Sequence, residues 1–315
     1  MKNILAILIL LMFNINCTDK MEKNQNKSLD RKVSQVPIEK QISYGLEINA
    51  PIPVTIYFDD IKISEKNTPL NTVVELNPFI LKNGKHKVKI EVNPLFRSSE
   101  TFVKPDNLKN IRIQFVSYIW NKETDNVSNY ITNTNLQLTT VKESLPYFAQ
   151  EWEVEVKDLP YDLEGWSKGQ DLSKINHKDL EINVVAYYQK LRSLMNNGDF
   201  ASYRNLWAVA DQELMVFDYQ TKDSYTKAVE ENKLDFKKCK NAMIPLEDFE
   251  MRLHADGKMV SLERKTHTRE FNAESPLDIK GWSPLIRKYK VSGGASYGVK
   301  LYLPQNSNEF VIIRK

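Results

Sequence analysis

Histidine and cysteine are the side chains of this sequence that could hold a transition metal, and they are few and scattered. They are His86, His177, His254, His267, Cys17 and Cys239. None of them stands at a metal-ligand spacing such as His-x-x-x-His or Cys-x-x-Cys. His254 and His267 could approach each other across a hairpin with Glu263 nearby, but Asp256 between them fits a turn residue. The sequence therefore predicts no metal site and no cofactor.

Nucleophilic and acid–base catalysis are also weakly indicated. Lysines surround Cys239, and nearby lysines lower the pKa of a thiol, but this cysteine has no obvious histidine partner. The glycine-rich run 292–298 lacks the Lys-Ser/Thr pair of a phosphate-binding loop, so it predicts a turn. Tyr188, Tyr203 and Asp218 remain as acid–base candidates, and helical periodicity places both tyrosines in a core. No catalytic residue is assigned, and the sequence favours a protein that is not an enzyme.

The first seventeen residues carry the strongest motif of the chain. Lys2 is followed by an uncharged apolar run, ILAILILLMF at 4–13, and then by Cys17. A helix of about ten residues spans about 15 Å, half of the roughly 30 Å hydrocarbon core of a bilayer, so this run is too short to cross a membrane. The segment 1–17 resembles a bacterial lipoprotein signal peptide, which implies that Cys17 is lipidated and becomes the first mature residue. An ordinary secretory signal is the alternative, because the tripeptide at 14–16 departs from the usual lipobox.

The same resemblance implies a lipid-anchored position in the cell envelope. Two or three acyl chains anchor a lipoprotein stably, whereas one chain binds a bilayer only marginally. Thr18 lacks the carboxylate that, at this position, retains many Gram-negative lipoproteins in the inner membrane, so the outer membrane is favoured. Residues 18–43 are polar and predict a flexible tether, with a reach of about 28 Å if they behave as a coil.

The rest of the chain has the composition of a globular protein. Of 315 residues, 41% are apolar and 27% are charged, which excludes a disordered or membrane-embedded body. The 44 basic and 41 acidic residues are interspersed, so no basic stripe indicates a nucleic-acid partner. Two cysteines, one of them lipidated, cannot build a disulfide framework. The length is sufficient for two domains.

Residues 44–158 are predicted to form a β-sandwich domain. The stretches at 54–58 and 111–120 are rich in β-branched and aromatic residues, and 86–92 alternates apolar with charged side chains. Further strands are predicted at 73–76, 135–141 and 151–156, with Pro, Asn and Gly between the strands. The sequence LNPFILKNGKHKVKIEVNP is similar to a pattern of Ig-like and jelly-roll modules, which implies an antiparallel sandwich of that type.

Residues 159–174 contain Pro, Gly and Ser without periodicity and are predicted to be a linker, followed by an α+β domain at 175–315. Amphipathic helices are expected at 177–196, from 200 to about 217, and at 222–232. Hairpins are expected around 255–257 and 304–308. The phrase YYQKLRSLMNNGDFASYRNLW resembles the opening of an NTF2-like domain, in which helices pack into a curved antiparallel sheet. The fold class predicted for the whole chain is therefore α+β.

Binding has more support in this sequence than catalysis. Aromatic residues concentrate between the late sandwich and the linker, and aromatic side chains dominate protein interfaces and stack on sugar rings. Trp166 in EGWSKG and Trp282 in KGWSP fit no core pattern, so both are predicted to be ligand-binding surface residues. The expected function is a membrane-anchored module that binds a protein without catalysis. Small lipoproteins of this make-up resemble toxin antagonists, which implies toxin neutralisation; a polysaccharide-binding or polysaccharide-processing lipoprotein is the alternative.

Overall fold

The computed structural model describes residues 36–65, 69–94, 101–266, 269–270 and 277–314. This part of the chain is a mixed α+β fold with antiparallel sheets, as predicted at that level. The predicted signal 1–17, with Cys17, and most of the predicted tether lie outside the described residues. Within the described ranges, no helix combines the length and the apolar character that crossing a bilayer requires.

Eight strands build the first half of the fold as two four-stranded sheets. In one sheet the order is β4 (Leu70–Glu75), β1 (Ile42–Ala50), β6 (Arg112–Asn121) and β7 (Asn126–Asn135). In the other it is β3 (Ile61–Glu65), β2 (Val54–Phe58), β5 (Gly84–Val92) and β8 (Phe148–Val156). A short helix, α1 (Pro105–Lys109), precedes β6.

The two sheets bury side chains in one common core. In β5, Val88, Ile90 and Val92 are buried while Lys85 and Lys87 are exposed, as the alternation of a strand requires. Both sheets contribute to a single apolar cluster, which includes Leu46, Ile48, Phe115, Ile56, Phe58, Val88 and Ile90. This shared core is consistent with a β-sandwich.

The strand β7 differs from the prediction for this region. The strand predicted at 135–141 is wrong, because β7 ends at Asn135 and residues 136–141 are not in a strand. All ten residues of β7 are exposed, and the strand pairs with β6 through its backbone. A strand with both faces in water has no hydrophobic alternation, so its sequence carried no signal.

Four helices begin the second half. They are α2 (His177–Asn197), α3 (Phe200–Asn205), α4 (Ala208–Phe217) and α5 (Lys222–Lys237). The side chain of Asn176 accepts hydrogen bonds from two backbone N–H groups at the start of α2, and Gly198, at φ 76°, ends that helix. The second predicted helix is divided into α3 and α4, and α5 extends beyond its predicted end at 232.

Short strands complete the second half. Two pairs are β11 (Arg269–Glu270) with β12 (Leu277–Asp278) and β13 (Ile286–Lys288) with β14 (Gly294–Ser296). One sheet has the order β16 (Val311–Arg314), β15 (Lys300–Tyr302), β10 (Met259–Arg264) and β9 (Phe249–His254). Both predicted hairpins, β9–β10 and β15–β16, are confirmed.

Tyr188 of α2 joins the helices to this sheet. Its buried hydroxyl donates to the carbonyl of Val299 at 2.7 Å and accepts from the N–H of Leu262 at 3.0 Å. We expect Tyr188→Phe to lower the free energy of unfolding by about 1–3 kcal/mol, because both buried backbone groups lose this partner. Urea titration measures the loss. Tyr187→Phe, on the same helix, is the control, and an equal loss in both variants would contradict this role.

The predicted linker 159–174 is packed between the two halves. Leu159 and Tyr161 belong to the core of the two sheets, while Leu172 belongs to the core of the second half. A third apolar cluster, made of Ile61, Trp166, Ala255, Met259 and Ile313, joins residues of both halves. Beside it, Lys62 of β3 forms a buried ion pair with Glu263 of β10. The halves therefore share an interface of which this segment is part.

Candidate functional site

The two tryptophans selected from the sequence occupy different environments. Trp166 is 6% exposed, and the guanidinium carbon of Arg314 lies 4.9 Å from the centre of its ring. The prediction that Trp166 lies on the surface is wrong, because its loop folds into the contact between the two halves. Trp282 is partly buried in a turn, where its carbonyl accepts a hydrogen bond from the N–H of Arg264. A ligand-binding role for Trp282 stays a prediction.

The environment of Cys239 is set by burial. Its thiol donates to the hydroxyl of Tyr297 at 3.3 Å, and this hydroxyl donates to Oδ2 of Asp235 at 2.9 Å. Burial raises the pKa of the Cys239 thiol, which is opposite to the effect that its lysine neighbours suggested. The sulfur is enclosed in the core of the second half, as a structural thiol is.

His254 lies beside a serine and a carboxylate without forming a catalytic triad. Its Nε2 is 2.8 Å from Oγ of Ser261, and Oε1 of Glu263 is 3.8 Å from the same nitrogen. A triad places the carboxylate on the other ring nitrogen, and Nδ1 of His254 has no hydrogen-bond partner among the described residues. Those residues also contain no group of three or more His, Cys, Asp or Glu arranged to hold a metal, and His267 lies outside them.

Burial of His254 predicts a pH dependence of stability. Burial, reinforced by the positive charges of Lys300, Lys62 and Arg252, lowers the pKa of the imidazole well below 6.5. Below about pH 6.5 the unfolded chain therefore binds a proton that the folded chain does not bind. The free energy of unfolding then falls by up to about 1.4 kcal/mol per pH unit.

Urea titrations at about pH 5.5 and about pH 7.5 measure this effect. We expect His254→Gln to remove part of the loss of stability at the lower pH. His177→Gln changes an exposed imidazole and serves as the control. The same pH dependence of stability in the wild type and in both variants would show that His254 is not its source.

A cleft of about 570 Å³ lies between α4 and α5. Residues of the α4 side line one wall at the spacing of a single helix face, namely Trp207, Ala210, Asp211, Leu214, Phe217 and Asp218. One face of α5 lines the other wall with Tyr225, Ala228, Val229, Asn232, Asp235 and Phe236. Each wall extends over three helical turns, so the cleft is about 16 Å long.

Contacts with α3 and α4 hold α5 beside the cleft. The ring of Phe236 lies 5.3 Å from that of Phe200 and 4.8 Å from that of Tyr203. Asp211 ties the helices through its carboxylate, which accepts a hydrogen bond from the hydroxyl of Tyr225 at 2.9 Å and forms an ion pair with Arg204. Ala210 and Ala228 contribute small side chains to the lining.

The lining combines aromatic walls with a few charged groups. Its aromatic residues are Phe79, Phe200, Tyr203, Trp207, Phe217, Tyr225, Phe236 and Tyr297. Four carboxylates and two guanidinium groups complete the charged part of the lining, from Glu75, Asp211, Asp218, Asp235, Arg204 and Arg314. Of the acid–base candidates from the sequence, Tyr203 and Asp218 line the cleft, whereas Tyr188 is fully enclosed in the core.

Comparison with protein-family models, with curated proteins and with solved structures found no match to this chain. Ligand sites are concave and mostly apolar, with a small number of polar groups that orient the ligand. The cleft between α4 and α5 fits that description.

Proposed function

We propose that the protein is a lipid-anchored binding module of the cell envelope that recognises another protein without catalysis. In this proposal Cys17 carries the lipid, residues after it form the tether, and the outer membrane is the anchoring membrane. An Ig-like or jelly-roll sandwich followed by an NTF2-like domain forms the body. Neutralising a toxin delivered into the periplasm is the role that this combination suggests.

The open cleft between α4 and α5 is the observation that supports this proposal. Its aromatic walls offer the kind of surface that anchors the central side chains of a protein partner. Val229 and Tyr225 are partly exposed on the α5 wall, so a partner segment can reach them from solvent. A segment that enters the cleft would bury apolar side chains against both helices.

A polysaccharide ligand is the second candidate, and one specific observation favours it. Tyr118 of β6 and Tyr130 of β7 stack with ring centres 5.9 Å apart and planes 15° apart. Tyr130 is 45% exposed, so the pair offers a flat aromatic surface of the kind on which sugar rings stack. Loss of polysaccharide binding in Tyr130→Ala, with no protein partner found, would favour this candidate.

Capture of a partner tests the proposal. The full chain, extracted in a non-ionic detergent and immobilised, is incubated with lysates of its own cells and of close competitors. Mass spectrometry of the bound fraction is expected to find one protein at a stoichiometric level. A bound fraction without any stoichiometric protein would contradict a protein partner.

The lipid anchor has a separate test. Cys17→Ser removes the only thiol that the predicted signal offers for acylation, so we expect the variant to leave the membrane pellet for the soluble envelope fraction. Cys239→Ser controls for the loss of a thiol as such. A Cys17→Ser variant that remains in the pellet would exclude the lipoprotein interpretation.

A further inference from the structure

We propose that the cleft between α4 and α5 accepts a cationic group carried on an apolar body, with Glu75 as the counter-ion. In the protein partner this group is a lysine or arginine side chain. The claim that the cation belongs to a protein partner rests on the proposed function. The preference for a positive charge rests on the residues that line the cleft.

Glu75 is a carboxylate in the cleft without an ion-pair partner among the described side chains. It is the last residue of β4, it is half-buried, and its carboxylate forms no ion pair or hydrogen bond with a described residue. Burial, and secondly the charge of Asp218, raise the pKa of its carboxyl, while Lys122 opposes them. A cation placed beside Glu75 would offset the cost of holding this charge away from water.

The other charges of the lining already have partners. The carboxylate of Asp218 is paired with Lys122 and accepts a hydrogen bond from Nε2 of Gln220 at 2.6 Å. Asp211 is paired with Arg204 as described above, and Arg314 is paired with Glu213 at 2.7 Å.

Asp235 has two charged partners and one neutral partner, and Nζ of Lys238 lies 3.2 Å from its Oδ1. Its carboxylate lies 3.4 Å from the guanidinium of Arg287 and accepts the hydrogen bond from Tyr297. Glu75 is therefore the carboxylate of the lining that a ligand would have to match, and the matching charge is positive.

The walls suit the same ligand. Aromatic faces attract ammonium and guanidinium groups, with about 0.5–2 kcal/mol per contact depending on desolvation. Phe217 and Tyr225 flank the part of α4 and α5 nearest the turn between the helices, and Asp218 lies in that turn. An apolar body can follow the walls toward Ala210 and Ala228 while its charged end stays beside Glu75.

Three small probes of similar shape and different charge test the proposal. Phenethylammonium, 2-phenylethanol and 3-phenylpropionate are titrated by calorimetry into the full chain in a non-ionic detergent. We expect the ammonium to bind at least about tenfold more tightly than the alcohol, and the carboxylate most weakly. In Glu75→Gln the ammonium should lose this advantage over the alcohol.

Glu123→Gln, which changes an exposed carboxylate outside the cleft lining, is the matched control and should retain the wild-type preference. Equal binding of the three probes by the wild type would overturn the proposal. So would an ammonium preference that survives in Glu75→Gln.

The outcomes also separate this inference from the proposed function. A Glu75-dependent preference for the ammonium, together with an empty partner capture, would support a cation site whose ligand is a free amine and would contradict the protein partner. A captured protein that binds Glu75→Gln as tightly as the wild type would support the proposed function and overturn the cation site.

Discussion

Arg314→Met is expected to lower the free energy of unfolding by about 3–5 kcal/mol, the cost of breaking a buried ion pair from one side. Arg314 is 4% exposed, and its Nη1 lies 2.7 Å from Oε2 of Glu213 on α4. Its Nε donates to the carbonyl of Pro78, which precedes β5. Methionine would leave the carboxylate of Glu213 without its positive partner and the carbonyl of Pro78 without its donor.

Arg314→Met would also remove the contacts of the guanidinium with two aromatic rings, which adds to the loss of stability. The guanidinium carbon of Arg314 lies 4.9 Å from the ring centre of Trp166 and 5.0 Å from that of Phe217. Arg314 of β16 thus links the segment 159–174, α4 and the segment that leads into β5. Arg314→Lys keeps the positive charge but loses the planar guanidinium. We therefore expect its free energy of unfolding to lie between those of the wild type and Arg314→Met.

Urea titration measures these differences. Arg112→Met removes an exposed arginine of β6 and should change the free energy of unfolding by less than about 0.5 kcal/mol. A loss below about 1 kcal/mol in Arg314→Met would contradict its role as the link between the halves.

Ala228→Trp is expected to reduce partner capture at least about tenfold, which corresponds to about 1.4 kcal/mol of binding free energy. The indole would occupy the middle of the cleft, where Ala228 now leaves space between the walls. Because the new side chain enters an open cleft and not a packed core, the free energy of unfolding should change by less than about 1 kcal/mol.

Lys227→Trp is the matched control, since position 227 is exposed and does not line the cleft. Both variants are compared with the wild type by quantitative mass spectrometry of the captured partner and by urea titration. Undiminished capture by a folded Ala228→Trp would show that the partner binds elsewhere.

Sequence periodicity could predict the elements that bury one face. The alternation of β5 and the helical spacing of α2 both appear in the chain, and the structure has both elements. The strand β7 could not be found in this way, because all of its residues are in water. The burial of Trp166 could not be predicted from the sequence either, because its ring packs against Arg314, which lies far along the chain.

The sequence predicts one wall of the cleft but not the cleft itself. The spacing of Trp207, Ala210, Leu214 and Phe217 predicts an apolar helix face, and such a face normally packs into a core. Whether a neighbouring helix covers that face depends on where α5 is held, which Tyr225 and Phe236 decide through tertiary contacts. The role of Glu75 depends in the same way on Asp218 and Lys122, which approach it only in the fold.

Photo-crosslinking from α5 tests most directly that the cleft is the recognition site. A photoreactive amino acid is placed at Asn232, which lines the cleft and is exposed, or at Leu234, which is 61% exposed and outside the lining. We expect position 232 to crosslink to the captured partner and position 234 not to crosslink to it. Crosslinking from position 234 alone, or from neither position while the partner remains bound, would contradict it.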